Sequence, residues 1–409
     1  MIPKLIHYKR IAGKNIIERI KEAAEPLKDK HITHINSTSS GGGVAEILNS
    51  LVVLMNDIGI ETGWRLLKGS HSFFTITKRF HNILQGEKNG IGKQAKKIYL
   101  EEIERNAMMN HIEDHDMIII HDPQPLAMIA FYRKKQPWIW RCHIDLSRSN
   151  KKFWPFFKNY IEKYDGMIVS MKKYFQSDIT TPQFVIHPSI DPLSLKNKNI
   201  PKSVCRRLLS NNGIDLDKPI ICQVSRFDKW KDPLGVVKIY EKVKEAVDCR
   251  LVLIGDMAMD DPEGPKIYRK LMEKVEQSQE DIHVITKRAD RLVNALQKMS
   301  HVIIQNSIRE GFGLVVSEAL WKETPVVAKK RGGIPLQVID RKTGFLVNTN
   351  REAAKRCIQL LKNDKLREKL GKNGKEHVRK NFLITRHLLD YLNLLNAYLI
   401  EKKYKIKTG

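Results

Sequence analysis

The stretch His301-Val302-Ile303-Ile304-Gln305-Asn306-Ser307-Ile308-Arg309-Glu310-Gly311-Phe312-Gly313-Leu314-Val315-Val316-Ser317-Glu318 decides the fold. It reads as a short buried strand over Val302–Gln305, a glycine-bearing loop, and a helix opening at Leu314 and running to Trp321. A strand that feeds a helix through a glycine turn is the unit from which doubly wound parallel sheets are built. Gly311 and Gly313 allow close backbone approach to a ligand. The amides at the start of the helix, with its dipole, suit a phosphate or another anionic oxygen. Alone, the stretch also reads as an ordinary helix N-terminus with an exposed Glu.

Working outward, the same alternation of apolar runs and helical patterns fills most of the chain. Strands are expected near Ile32–Asn36, Met117–His121, Ile139–Ile144, Met167–Ser170 and Phe184–Ile186. A second series is expected at Ile220–Val224, Leu251–Ile254, Ile282–Ile285, Val302–Gln305, Val326–Ala328 and Phe345–Val347. The clearest helix is Val44–Asn56, with Gly59 beyond its end. Ile186–Lys218, rich in Pro, Asn, Ser and Lys, separates the two series. This predicts an N-terminal Rossmann-like domain over residues 1–190, a C-terminal one over 191–384, and a last helix over 385–409. The polar segment Gly69–Asn106 reads as a lid or as two amphipathic helices.

Composition narrows the function classes. The 409 residues are 42% hydrophobic and 29% charged, a globular balance. The formal net charge is +26, but it is spread along the chain, with Tyr404 alone interleaving an aromatic among the short basic stretches. That reads as a solvated surface rather than a nucleic-acid interface, so no nucleic acid is expected as partner. No apolar run approaches the roughly 20 residues of a membrane helix, so no membrane insertion is expected. Cys142, Cys205, Cys222, Cys249 and Cys357 form no Cys-x-x-Cys pair, which favours a reducing, cytoplasmic location without structural zinc.

Three further segments carry chemistry. Ser225-Arg226-Phe227-Asp228-Lys229-Trp230-Lys231-Asp232 follows a strand, where a ligand sits in α/β domains. Arg226 and Lys231 suit a diphosphate leaving group. Asn36-Ser37-Thr38-Ser39-Ser40-Gly41-Gly42-Gly43-Val44 is strand, glycine loop and helix, without the Gly-x-Gly-x-x-Gly or Gly-Lys-Ser/Thr fingerprints. Two strand ends, His121-Asp122-Pro123 and His143-Ile144-Asp145, carry polar groups suited to sugar hydroxyls. They would also suit a metal, but no third ligand cluster supports one, and no metal site is expected. Asp215-Leu216-Asp217 precedes a strand and reads as a cap or turn.

Glu310-x7-Glu318, Arg226 with Lys231, the Gly41–Gly43 loop and Gly332-Gly333-Ile334-Pro335 together resemble the family-4 retaining glycosyltransferases. Asn36–Leu48 and Phe80–Gly86, with the two histidine segments and Val224–Asp228, resemble more narrowly the trehalose glycosyltransferring synthases. The resemblance implies a GT-B fold, with two Rossmann-like domains facing across a cleft. It implies catalytic roles for Glu310, Arg226, Lys231 and His143. Donor contacts would come from Gly42, Gly43, Arg226, Lys231, Thr286, Gly311, Phe312, Gly313, Leu314 and Glu318. Acceptor contacts would come from His121, Asp122 and Asp145. The implied reaction moves glucose from an NDP-glucose to glucose, with the nucleotide-sugar as substrate and no resident cofactor. A phosphorylase on the same fold is the nearest alternative, and homodimerisation stays open. One departure is plain: after Gly-Gly-Ile-Pro many members carry an acidic residue, where this chain has Leu336-Gln337.

Overall fold

The computed structural model describes residues 2–39, 42–88, 90–255, 264–286 and 289–407. Two compact units are present. The first comprises Met1–Ser189 with Ile384–Gly409, and the second Ile190–Leu383.

The strands of the first unit are β1 (His31–Asn36), β2 (Glu61–Leu66), β3 (Met117–His121), β4 (Trp138–Arg141), β5 (Gly166–Val169) and β6 (Gln183–Val185). They lie in the order β2-β1-β3-β4-β5-β6, every pairing parallel. The central strands β3, β4 and β5 are buried along their whole length, as expected when helices cover both faces. β2 was not legible as a strand. Glu-Thr-Gly-Trp-Arg-Leu holds only two large apolar residues, and as an edge strand it is half-exposed.

The segment Gly69–Asn106 folds as two helices, His71–Leu84 and Lys93–Met109. Ser70 caps the first by accepting from Phe73 N at 3.2 Å. Their apolar stripes meet where Phe80 packs edge-on against Tyr99, ring centroids 4.8 Å apart, inside the core built around Trp138, Trp140 and Phe157. The final helix, Ile384–Leu399, belongs to this unit. Asn396 Nδ2 donates to Ala23 O at 2.7 Å, and the Tyr398 hydroxyl donates to Asp165 O at 2.8 Å.

The second unit continues with β7 (Ile220–Val224), β8 (Arg250–Ile254), β9 (Ile282–Ile285), β10 (Val302–Gln305), β11 (Val326–Lys329) and β12 (Gly344–Val347). Their order is β12-β11-β10-β7-β8-β9, again all parallel. Asp217, from the Asp-x-Asp segment, pairs with Arg250 at 3.0 Å and so pins the start of β8. None of the described helices is long and apolar enough to cross a membrane.

Each strand order fixes where a ligand site can form. In the second unit the chain builds outward from β7 to β9, then returns to place β10 on the other side of β7. In the first unit β1 plays the same part between β2 and β3. At such a reversal the loops leave the two central strands in opposite directions and open a crevice at their carboxyl ends.

Candidate active site

In the second unit, β7 delivers Ser225–Asp232 to that crevice and β10 delivers Asn306–Gly313. Asp228 shapes the first loop: its Oδ1 accepts from Trp230 N at 2.8 Å and Lys231 N at 3.1 Å. Gln223 Nε2 donates to Lys231 O at 2.9 Å. Asp232 sits in the left-handed region, φ 51°, and caps the helix Pro233–Lys244. The loop is thus held at both ends, and Lys231 projects with little freedom.

It projects onto Glu310. Lys231 Nζ lies 2.6 Å from Glu310 Oε2, which also accepts from Gln305 Nε2 and Ser307 Oγ, each at 3.0 Å. Glu310 is only 8% exposed. Burial alone would raise its carboxyl, but the Lys231 ammonium and the two neutral donors outweigh burial and hold it below the usual range. Arg226 stands at the mouth of the loop, its side chain 37% exposed and Nη2 3.6 Å from Asp228 Oδ2.

The glycine loop closes over this pair. Gly313 has φ 84° and opens the helix Leu314–Trp321. A side-chain carbon at Gly313 would lie 3.2 Å from Glu310 Cγ. The second glycine motif supports the loop from behind: Gly333 N donates to Gly311 O at 3.1 Å, and a Cβ at Gly333 would meet Phe312 Cδ2 at 2.7 Å. Gln337 is fully buried. Its Oε1 accepts from Ser317 N and Oγ, and its Nε2 donates to Phe312 O at 2.6 Å. The departure seen in the sequence is therefore a brace: an amide can donate to the Phe312 carbonyl, which a carboxylate cannot.

Glu318, 1% exposed, points elsewhere. Its Oε2 accepts from Gln297 Nε2 at 3.0 Å and its Oε1 lies 3.8 Å from Lys196 Nζ. Thr286 follows β9 at the edge of the sheet and is exposed. Of the sequence-derived set in this unit, Lys231, Glu310 and the Gly311–Leu314 loop come together directly. Arg226 flanks them, while Glu318 is anchored separately.

In the first unit, Gly42 caps the helix Gly43–Asp57 and has open space where a side chain would stand. Gly41 lies outside the described residues, as does Lys287. At the neighbouring strand ends the histidines form a row. His34 Nδ1 is 2.9 Å from His121 Nε2, and His121 Nδ1 is 3.1 Å from His143 Nε2. His121 is 2% exposed with both ring nitrogens engaged, which leaves it none for a sugar hydroxyl. It stands behind half-buried His143. Asp122, in the left-handed region at φ 64°, accepts from His143 N at 2.8 Å and fixes that turn. Burial outweighs the His143 amide and the Arg141 charge and pushes the Asp122 carboxyl up to about 7. Asp145 Oδ1 accepts from Ser147 N at 2.9 Å. Burial holds the imidazoles neutral: His34 is pushed down to about 3, and His121 and His143 lie well below the ordinary range, with Arg141 adding to the effect on both.

Sequence reasoning missed Gln305, Ser307, Gln297 and His34. A signal existed for the first two, since polar residues closing an apolar strand at a reversal point are costly unless used. His34 sits inside the apolar strand β1, and only its spatial partner distinguishes it from a core residue.

Residues 34–176 match the family described as trehalose synthase, N-terminal domain, and residues 206–377 match glycosyl transferases group 1. The trehalose synthase of Thermococcus litoralis is 48% identical over 401 residues, covering 97% of each chain. The trehalose phosphorylase of Pleurotus pulmonarius is 27% identical, covering 92% of this chain and 59% of its own. Among solved structures, the sucrose-phosphate synthase of Thermosynechococcus elongatus superimposes with a TM-score of 0.73 at 17% identity, covering 91% of this chain and all of that one. That likeness supports the two parallel-sheet units of a GT-B fold. From the near relatives and from the glycine loop over a Lys–Glu pair at the strand reversal, the chain belongs to the trehalose synthase family of glycosyltransferases.

Proposed function

We propose that the protein transfers glucose from an NDP-glucose to free glucose with retention, giving α,α-trehalose in a reversible reaction. The observation that supports it most is the setting of Lys231: a cation held at the strand reversal by Glu310, whose side chain lies against Gly313 at the start of the Leu314–Trp321 helix, with Arg226 on the same loop as Lys231. Charge develops on the diphosphate as the glycosidic bond breaks, and fixed cations and helix amides stabilise that charge without reorganising.

Glu310 stays ionised and holds Lys231 in place. The acceptor hydroxyl attacks from the face that the nucleoside diphosphate leaves, through an oxocarbenium-like transition state. The departing phosphate takes the acceptor's proton, so no side chain need serve as nucleophile. Catalysis comes from positioning and leaving-group stabilisation. We read no resident metal or cofactor into this scheme and place it in the cytoplasm, where the five buried, unpaired thiols stay reduced.

Incubation of the purified protein with trehalose and each of ADP, UDP, GDP or inorganic phosphate tests the reading. An NDP-glucose product is expected. Glucose 1-phosphate formed with phosphate alone would instead establish a phosphorylase.

A further inference from the structure

The histidine row constrains its own protons. A neutral imidazole has one N–H and one lone pair. His121 lies between His34 and His143, so it donates through one nitrogen and accepts through the other. All three rings must then point their hydrogens the same way along the row.

The two ends of the row are unlike. His34 Nε2 is buried and has no hydrogen-bond partner among the described residues. Tyr391 offers it only a ring, with centroids 6.0 Å apart. A hydrogen there would be an orphaned buried donor, which proteins avoid more strictly than a bare acceptor. His387 shows the same arrangement in a ring whose tautomer its neighbour fixes. Its Nδ1 is 2.8 Å from the His187 carbonyl, which can only accept, and its Nε2 is likewise buried and unpartnered. There the hydrogen must sit on Nδ1 and the lone pair on Nε2. Applied to His34, this arrangement sends the Nδ1 hydrogen to His121 Nε2. The Nδ1 hydrogen of His121 then goes to His143 Nε2, and His143 keeps its own hydrogen on Nδ1. That last nitrogen has no protein partner among the described residues and is not among the fully buried ones.

We propose that His34 and His121 are positioning residues that lock His143 as the Nδ1–H tautomer. His143 then presents a neutral hydrogen-bond donor, and no lone pair, at its accessible nitrogen. Such a group binds a hydroxyl or carbonyl oxygen of a sugar and cannot take the acceptor's proton. The effect on turnover rests on the transfer reading above, whereas the tautomer itself does not.

The test is two-bond ¹H–¹⁵N correlation NMR on the full chain labelled at histidine, with the His143 signals identified by their loss in His143→Asn. The hydrogen is expected on Nδ1 in the native protein. It should stay there in His121→Asn, whose amide N–H takes the place of the His121 Nδ1 donor. In His121→Leu both tautomers should be present, and kcat for trehalose formation should fall roughly tenfold, most of it regained in His121→Asn. A hydrogen on His143 Nε2 in the native protein would overturn the lock, and that measurement stands even if a variant fails to fold. So would a single Nδ1–H tautomer with unchanged kcat in His121→Leu. An Nδ1–H signal in a protein that makes no trehalose from any nucleotide-sugar would support the lock while removing the transfer reading.

Discussion

Lys231 and Glu310 come from loops 79 residues apart and meet at 2.6 Å where β7 and β10 lie side by side. The pair is largely buried, with side-chain exposures of 19% and 8%. A buried pair of this kind adds little net stability, but breaking it by removing one partner is expensive. Its presence at the carboxyl ends of the central strands is therefore better understood as a constraint on where the cation sits.

Removing the cations should slow the reaction. Arg226→Ala is expected to lower kcat by about 10²–10³, corresponding to roughly 2–4 kcal/mol in the barrier. Its exposed side chain leaves the fold intact, which circular dichroism would check. Lys231→Ala should lose at least as much turnover. Near-native rates in both variants would rule out their role at the diphosphate.

Glu310→Gln separates the electrostatic part of the pair from its shape. The amide keeps the size but leaves Lys231 without its counter-charge, so a loss of about 3–5 kcal/mol in unfolding free energy is expected. Denaturant titrations of both proteins would measure it. An unchanged midpoint would mean that Lys231 finds another anion.

Gln337→Glu replaces the brace behind the glycine loop. The carboxylate still accepts from Ser317 but faces the Phe312 carbonyl with no hydrogen to give. A cost of about 1–3 kcal/mol is expected. KM for the nucleotide-sugar should rise more than kcat falls, because the loop that holds the donor loosens. Initial rates at varied donor concentration distinguish this from a general loss of protein.

Acid should unfold the first unit. His34, His121, His143 and His387 are neutral in the fold, and all four have their proton affinity lowered, chiefly by burial. Below about pH 6.5 the unfolded chain protonates them and the native one does not, so stability falls as pH falls. Asp122 acts in the opposite sense, since its carboxyl, raised to about 7, takes up a proton in the native state first. Arg141 and Arg386 nearby keep their charge throughout. Four imidazoles against one carboxyl leave a net loss of stability as the pH falls below about 6.5. Thermal melts across that range would show it, and His387→Gln should flatten the slope by one proton. A stability independent of pH would sink the argument.

Much of this was legible in the sequence for physical reasons. Buried parallel strands are continuous apolar runs, so β3, β7, β8 and β10 stand out, and glycines beside a helix start mark the loop over Glu310. What stayed hidden is pairwise. Nothing local to Gln305, Ser307 or Gln297 says that each completes a carboxylate's hydrogen bonding. Nothing local to His121 says that its second nitrogen is already taken by His34. Gln337 was visible as a departure from a pattern, but only the fold reveals that its amide hydrogen is the reason.

The first unit is closed by a helix that follows the second unit in the sequence. Ile384–Leu399 supplies His387, Tyr391, Asn396 and Tyr398 to a core otherwise made from residues before Ser189. During synthesis that helix leaves the ribosome after the whole of the second unit. The second unit, whose residues are contiguous, can complete its fold while the earlier half still waits for its final piece. A nascent chain stopped at Leu383 should thus carry a protease-resistant second unit and a protease-sensitive first one.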